Sequence, residues 1–145
     1  VKYVAETSEK FDVVLVDSTD PIGPAQPLFG QEFYSNVNRV LTDDGIVVSQ
    51  GESSWYLSKT QKKLLEVLKD QFPLVGMYNF SNLTYPGGLW SFAFTSKKYH
   101  PLRDFKAERI NNSNLSFEYY NEDIHRAAFA LPEFMKKNLA GIMTL

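Results

Sequence analysis

Apolar residues along this chain alternate between a continuous β-branched rhythm and a helical one. Phe11-Asp-Val-Val-Leu-Val-Asp17 is too uniformly apolar for a half-exposed strand and predicts one covered on both faces of a parallel sheet. Pro21, Gly23, Pro24 and Pro27 punctuate the next stretch as loop. From Gln31, the residues Phe33, Val37, Val40 and Leu41 fall at i, i+4, i+7 and i+8, which predicts a helix with one buried stripe. Asp43-Asp44-Gly45 stops that helix, and Ile46-Val-Val48 opens a second strand running into Ser49-Gln50-Gly51. Ser58 with Gln61 forms a capping box, after which Leu64, Leu65, Leu68 and Phe72 line a second helix up to Pro73. Leu74 to Phe80 and Trp90 to Thr95 read as an antiparallel pair around the turn-rich Tyr85-Pro-Gly-Gly88. The sum is βαβαββ: an α/β sheet with parallel strands, a terminal antiparallel hairpin and helices on its faces.

After Lys97-Lys98 the chain becomes polar and broken, with Pro101 and Asn111-Asn-Ser-Asn114, before two short helices over Asp123 to Ala130 and Pro132 to Leu139. Residues 99–145 are read as an appendage packed on the sheet formed by 1–98. There is no internal repeat and no linker long enough to divide the chain. Val1 is not a methionine and the first dozen residues run into a strand, so the expectation is one domain that is a piece of a longer one.

Composition narrows the partners. The 145 residues carry 15 Lys+Arg against 17 Asp+Glu, a net charge of -2, and 43% are hydrophobic, so a folded globule is expected and a basic footprint for nucleic acid is absent. No apolar run approaches the ~20 residues of a membrane span, and a cytoplasmic location is expected. The chain has no cysteine, which excludes disulfides, thiolate metal sites and cysteine nucleophiles. His100 and His125 lack any partner spacing for a metal, and none is expected. Three matches to the N-glycosylation pattern, at Asn82, Asn111 and Asn114, are chance.

In open α/β sheets ligands bind beyond the carboxyl ends of the strands. Those ends carry Asp17-Ser-Thr-Asp20, then Gln50-Gly-Glu52, then Thr84-Tyr85 beside Trp90. Two aspartates three residues apart repel unless a cation lies between them, which points to Mg²⁺ or an alkylammonium. The chain has no glycine-rich phosphate cradle, so an amine is favoured, and Tyr85 and Trp90 offer aromatic faces to an organic cation.

The string Asp17-Ser-Thr-Asp-Pro-Ile-Gly-Pro-Ala25, with Leu28-Phe29, Gln50-Gly-Glu52 and Thr84-Tyr-Pro-Gly-Gly-Leu-Trp90, resembles the spermidine synthases in wording, order and spacing. The resemblance covers essentially the whole chain and corresponds to the C-terminal part of a polyamine aminopropyltransferase catalytic domain, a partial Rossmann-like fold of the methyltransferase type. It implies transfer of an aminopropyl group from decarboxylated S-adenosylmethionine, a co-substrate rather than a cofactor, to putrescine, giving spermidine and methylthioadenosine. By motif position Asp17 is the proton acceptor, Asp20 and Tyr85 hold the diamine, and Asp17, Ser18, Thr19 and Asp20 bind it as a unit. Pro24 contacts the nucleoside. Gln50 is placed near the amine because it ends the neighbouring strand. A homo-oligomer, dimer or tetramer, is implied for the intact protein.

The family's N-terminal β domain, glycine-rich nucleoside loop and ribose-binding acidic residue have no counterpart in these residues, so the nucleoside site is expected to be half built and the Val13–Val16 strand to expose an apolar edge. Trp90 is read as hairpin packing and Glu52 as structural, while Lys59, Lys62 and Lys63 form a solvated helix face. Two other readings compete: a related putrescine N-methyltransferase, and a catalytically silent binding module.

Overall fold

In the computed structural model, which describes residues 1–18, 23–85 and 87–145, strand β1 (Phe11–Val16) pairs in parallel with β2 (Leu41–Gln50). Strand β2 then pairs antiparallel with β4 (Leu89–Ser96), whose far edge takes β3 (Leu74–Ser81), so the order is β1-β2-β4-β3. Strands β1, β2 and β3 therefore run one way with β4 inserted against them. The α/β class, the parallel first pair and the closing hairpin agree with the sequence reading. That the second strand of the hairpin, rather than the first, lies beside β2 has no signature in hydrophobic periodicity.

The helices are α1 (Lys2–Glu6), α2 (Gln31–Val40), α3 (Ser58–Gln71), α4 (Glu108–Asn111), α5 (Glu122–Ala128) and α6 (Glu133–Asn138). One sheet face packs against α2, α3 and α6: Val16, Val47, Val75, Met77 and Ala93 meet Phe33, Tyr34, Val37, Leu64, Leu65, Leu68, Met135 and Leu139 in a single buried cluster. The opposite face of β2, β3 and β4 is covered by residues 99–129. There Phe129 packs on Tyr78 and Phe94, and His125 stacks on Phe105 with ring centroids 4.0 Å apart. His125 Nε2 donates to the Pro101 carbonyl (2.8 Å), since that oxygen can only accept, which leaves Nδ1 to accept the Tyr120 hydroxyl (2.9 Å). The chain then crosses to the first face, where α6 joins the core. Thr144 exchanges hydrogen bonds with the Val75 backbone, covering part of the outer edge of β3. No helix among the described residues is long and apolar enough to cross a membrane.

Three local expectations are corrected and one element is added. Strand β1 is covered on one face only: Val13 and Leu15 are 52% and 71% exposed, because the helices pack on its other side and the tail aromatics reach β2–β4. Strand β2 starts at Leu41, straight from the end of α2, so Asp43-Asp44-Gly45 lies within the strand; Leu41 pairs with Phe11 and a register shift between Phe11 and Val13 absorbs the polar stretch. Ser58 and Gln61 do not cap α3, whose N-cap is Leu57 without a side-chain bond, because Gln61 is turned into the interior at 1% exposure. Helix α1 was not foreseen. It buries nothing itself and is held by Arg39, whose guanidinium donates to the carbonyls of Val4, Ala5 and Thr7.

Tyr34 lies at the centre of the core, 1% exposed, with its hydroxyl donating to Ser49 Oγ at 3.0 Å. Burial pushes its phenol up to about 12. The folded pKa thus lies above the unfolded value near 10, so the native state retains a proton that the unfolded chain loses, and this contribution is full below pH 10 and lost as pH rises to 12. Chemical denaturation across that window should show stability falling by on the order of 2 to 3 kcal/mol more in the wild type than in Tyr34→Phe.

Candidate active site

The carboxyl ends of β1, β2 and β3 converge with the start of β4 around a cavity of about 170 Å³ lined by Asp17, Gln50, Phe80, Asn82, Tyr85, Trp90 and Phe92. Strand alternation explains the membership. Asp17 continues the outward side of β1 marked by Val13 and Leu15, Gln50 is opposite Phe92, and Phe80 is opposite Trp90, so all of them share the face turned away from α2 and α3.

Tyr85 and Trp90 stack with centroids 4.5 Å apart at 26°, forming a flat aromatic wall. The turn that presents them is built locally. Asn82 Oδ1 accepts from the Thr84 N–H at 2.9 Å, the Asn82 N–H donates to the Gly88 carbonyl at 2.9 Å, and Gly87 and Gly88 both take positive φ (86° and 67°). The Asp17 side of the cavity is exposed, and among the described residues no lysine, arginine or histidine borders it. A carboxylate, an amide oxygen and two π faces with no competing cation form an environment suited to an ammonium group.

Of the residues singled out from sequence, Asp17, Gln50 and Tyr85 come together here. Trp90, read as hairpin packing, stacks on Tyr85 and borders the same cavity. Ser18 is buried behind the end of the strand and does not border the cavity, and Pro24 is exposed in the 3-10 turn Gly23–Phe29, also away from it. Thr19 and Asp20 lie outside the described residues. Phe80, Asn82 and Phe92 were missed, although the two-residue alternation through Trp90 and Phe92 already assigns Phe92 to the face of Trp90.

Larger cavities of about 500 and 290 Å³ lie beneath the tail, lined among others by Phe94, Tyr120 and His125. The acid in the first of them, Asp104, has its pKa lowered from its ordinary value by the Arg103 guanidinium and by the His100 backbone N–H. Burial raises the Tyr78 phenol beside the second to about 12. Size alone therefore does not select the site; the strand ends do.

Residues 1–107 match the model of the spermine/spermidine synthase domain. A polyamine aminopropyltransferase of Clostridium beijerinckii is 41% identical over 144 residues, covering 98% of this chain and 51% of that protein. The corresponding enzyme of Methanocaldococcus jannaschii is 45% identical over 140 residues, covering 94% of this chain and 47% of its own. Among solved structures, a spermidine synthase in complex with the transition state analogue AdoDATO superposes with a TM-score of 0.90 at 38% identity, over 95% of this chain and 47% of that one. The spermidine synthase of Thermotoga maritima gives 0.87 at 38% identity, over 95% and 46%. A human methyltransferase-like protein 13 in complex with SAH, at 0.52 and 19%, shares the fold. The chain spans about half the length of the curated relatives it matches. With the family model covering the sheet and all four strand ends that form the pocket, this chain belongs to the spermine/spermidine synthase domain family.

Proposed function

We propose that the protein to which these residues belong is a spermidine synthase, transferring an aminopropyl group from decarboxylated S-adenosylmethionine to putrescine. The observation that carries the reading is the convergence of Asp17, Gln50, Tyr85 and Trp90 on one cavity at the carboxyl ends of the strands, in a chain of this family. The names of the matched proteins, polyamine aminopropyltransferase and spermidine synthase, support aminopropyl transfer.

The lone pair of a putrescine nitrogen attacks the methylene beside the sulfonium of the donor, the carbon–sulfur bond breaks, and its electron pair returns to sulfur as a neutral thioether. One proton must leave nitrogen. That proton leaves the ammonium to free its lone pair: Asp17 orients the nitrogen and accepts the proton ahead of the attack, and the displacement itself gives the secondary ammonium of spermidine with no further proton transfer. Most of the acceleration comes from holding the attacking nitrogen in line with the carbon. The Tyr85–Trp90 wall and Gln50 fix the aliphatic stem and the reacting end, and Asp20, by its place in the motif, holds the distal ammonium. Pro24 contacts the nucleoside of the donor, and the protein acts as a homo-oligomer in the cytoplasm.

Mass spectrometry of the full-length protein with both substrates should detect spermidine and methylthioadenosine; S-adenosylhomocysteine in place of methylthioadenosine would refute aminopropyl transfer. Asp17→Asn should lower kcat by about 10²- to 10⁴-fold with an unchanged circular dichroism spectrum, and near-normal turnover would remove the proton-acceptor role. Asp20→Ala should raise the putrescine KM more than the donor KM, and equal effects on both would rule out its assignment to the diamine.

A further inference from the structure

Behind Gln50, on the helix-facing side of the sheet, a set of buried polar groups ties down the residues that follow it. A Cβ on Gly51 would lie 2.5 Å from Met77 Cε, 2.9 Å from Ser91 Oγ and 3.0 Å from the Ala93 nitrogen, so only glycine lets β2 run this close to β4. The Gly51 N–H donates to the Ser91 carbonyl at 2.9 Å. Gln61, reaching in from α3, donates through Nε2 to the Gly51 carbonyl (3.1 Å) and to Ser91 Oγ (2.9 Å). The Ser91 hydroxyl, having accepted from Gln61, directs its own hydrogen at the carbonyls of Gly51 (2.8 Å) and Glu52 (2.7 Å). The next residue, Glu52, holds φ of 63°, the left-handed region that a non-glycine residue enters only when its surroundings impose it. Gln61 and Ser91 are 1% and 0% exposed, and neither borders the cavity.

A surface-facing helix position would tolerate any polar residue. An amide that spans from α3 to the end of β2 and to β4 serves instead to hold the peptide after Gln50 in one place. We propose that Gln61 and Ser91 are positioning residues for the diamine: they set the height at which Gln50 enters the pocket, and so act on acceptor recognition without touching the acceptor. This rests on the functional reading above. Loosening the clasp lets the end of β2 shift relative to Asp17 on β1 and the Tyr85–Trp90 wall on the hairpin. Donor binding, assigned to Pro24 and to residues elsewhere in the protein, does not pass through this contact.

The test is steady-state kinetics on the full-length protein with putrescine and decarboxylated S-adenosylmethionine varied in turn, for Gln61→Met, Ser91→Ala and each combined with Gln50→Ala. Either single variant should raise the putrescine KM about tenfold while the donor KM stays within about twofold. On the Gln50→Ala background the same changes should add little further, because they act through that residue. A merely structural role would lower the yield of active protein and leave the KM of the folded fraction alone. An unchanged putrescine KM, an equal rise for both substrates, or full additivity with Gln50→Ala overturns the proposal, and Ser91→Ala gives the answer if Gln61→Met does not fold. A wild-type protein that forms no spermidine overturns the functional reading and this role with it, whereas active wild type with unaffected variants overturns this role alone.

Discussion

The register between β2 and β4 is the constraint on which the site depends. Ser49 and Gly51 face the helices while Gln50 faces the opposite side, and the pairing of Gln50 with Phe92 is held where Gly51 lies against Ser91 and Ala93. A slip of one residue would exchange the faces, sending Gln50 into the core beside Tyr34 and Ser49 into the pocket. A methyl group on Gly51 would force the two strands apart at the point where the pocket wall is assembled. The same alternation carries Asp17 outward while Val16 is buried, and Trp90 outward while Ser91 anchors the other side. One pleat thus divides a hydrophobic support from a polar, aromatic reaction surface.

That division also assembles the cavity from separate parts of the chain. Its acid comes from the end of β1, its amide from β2 and its aromatic wall from the hairpin, so three separate chain segments must be in place before a ligand meets all of them. Each segment is braced from the helix side: Val16 by the core, Gln50 through Gly51, and the start of β4 through Ser91. Under the proposed function such an assembly would hold the attacking nitrogen in line, because alignment is the main demand of that displacement.

Much of this was legible in the residues. The β-branched runs at Val13–Val16 and Ile46–Val48, the leucine stripe of α3 and the turn at Pro86-Gly87-Gly88 mark the elements, and the polar residues that end each strand mark the site. What was hidden depends on tertiary partners. Asp43-Asp44-Gly45 looks like a helix stop, yet its backbone is drawn into β2 by pairing that begins at Phe11. Ser58 and Gln61 have capping-box spacing, yet the amide finds better partners in Gly51 and Ser91. Val13 and Leu15 read as buried because composition reports that a residue is apolar without reporting whether anything lies above it. The position of β4 between β2 and β3 is a property of the crossover through α3, invisible to any local pattern.

Under the proposed function the amine lies between the acid that ends β1 and the aromatic wall of the hairpin, and a crystal structure of the full-length protein with putrescine and methylthioadenosine tests that directly. It should show one diamine nitrogen within hydrogen-bonding distance, about 3 Å, of the Asp17 carboxylate, with the aliphatic stem along the Tyr85–Trp90 stack and Gln50 alongside. Putrescine bound instead beneath the tail, among Phe94, Tyr120 and His125, would contradict it.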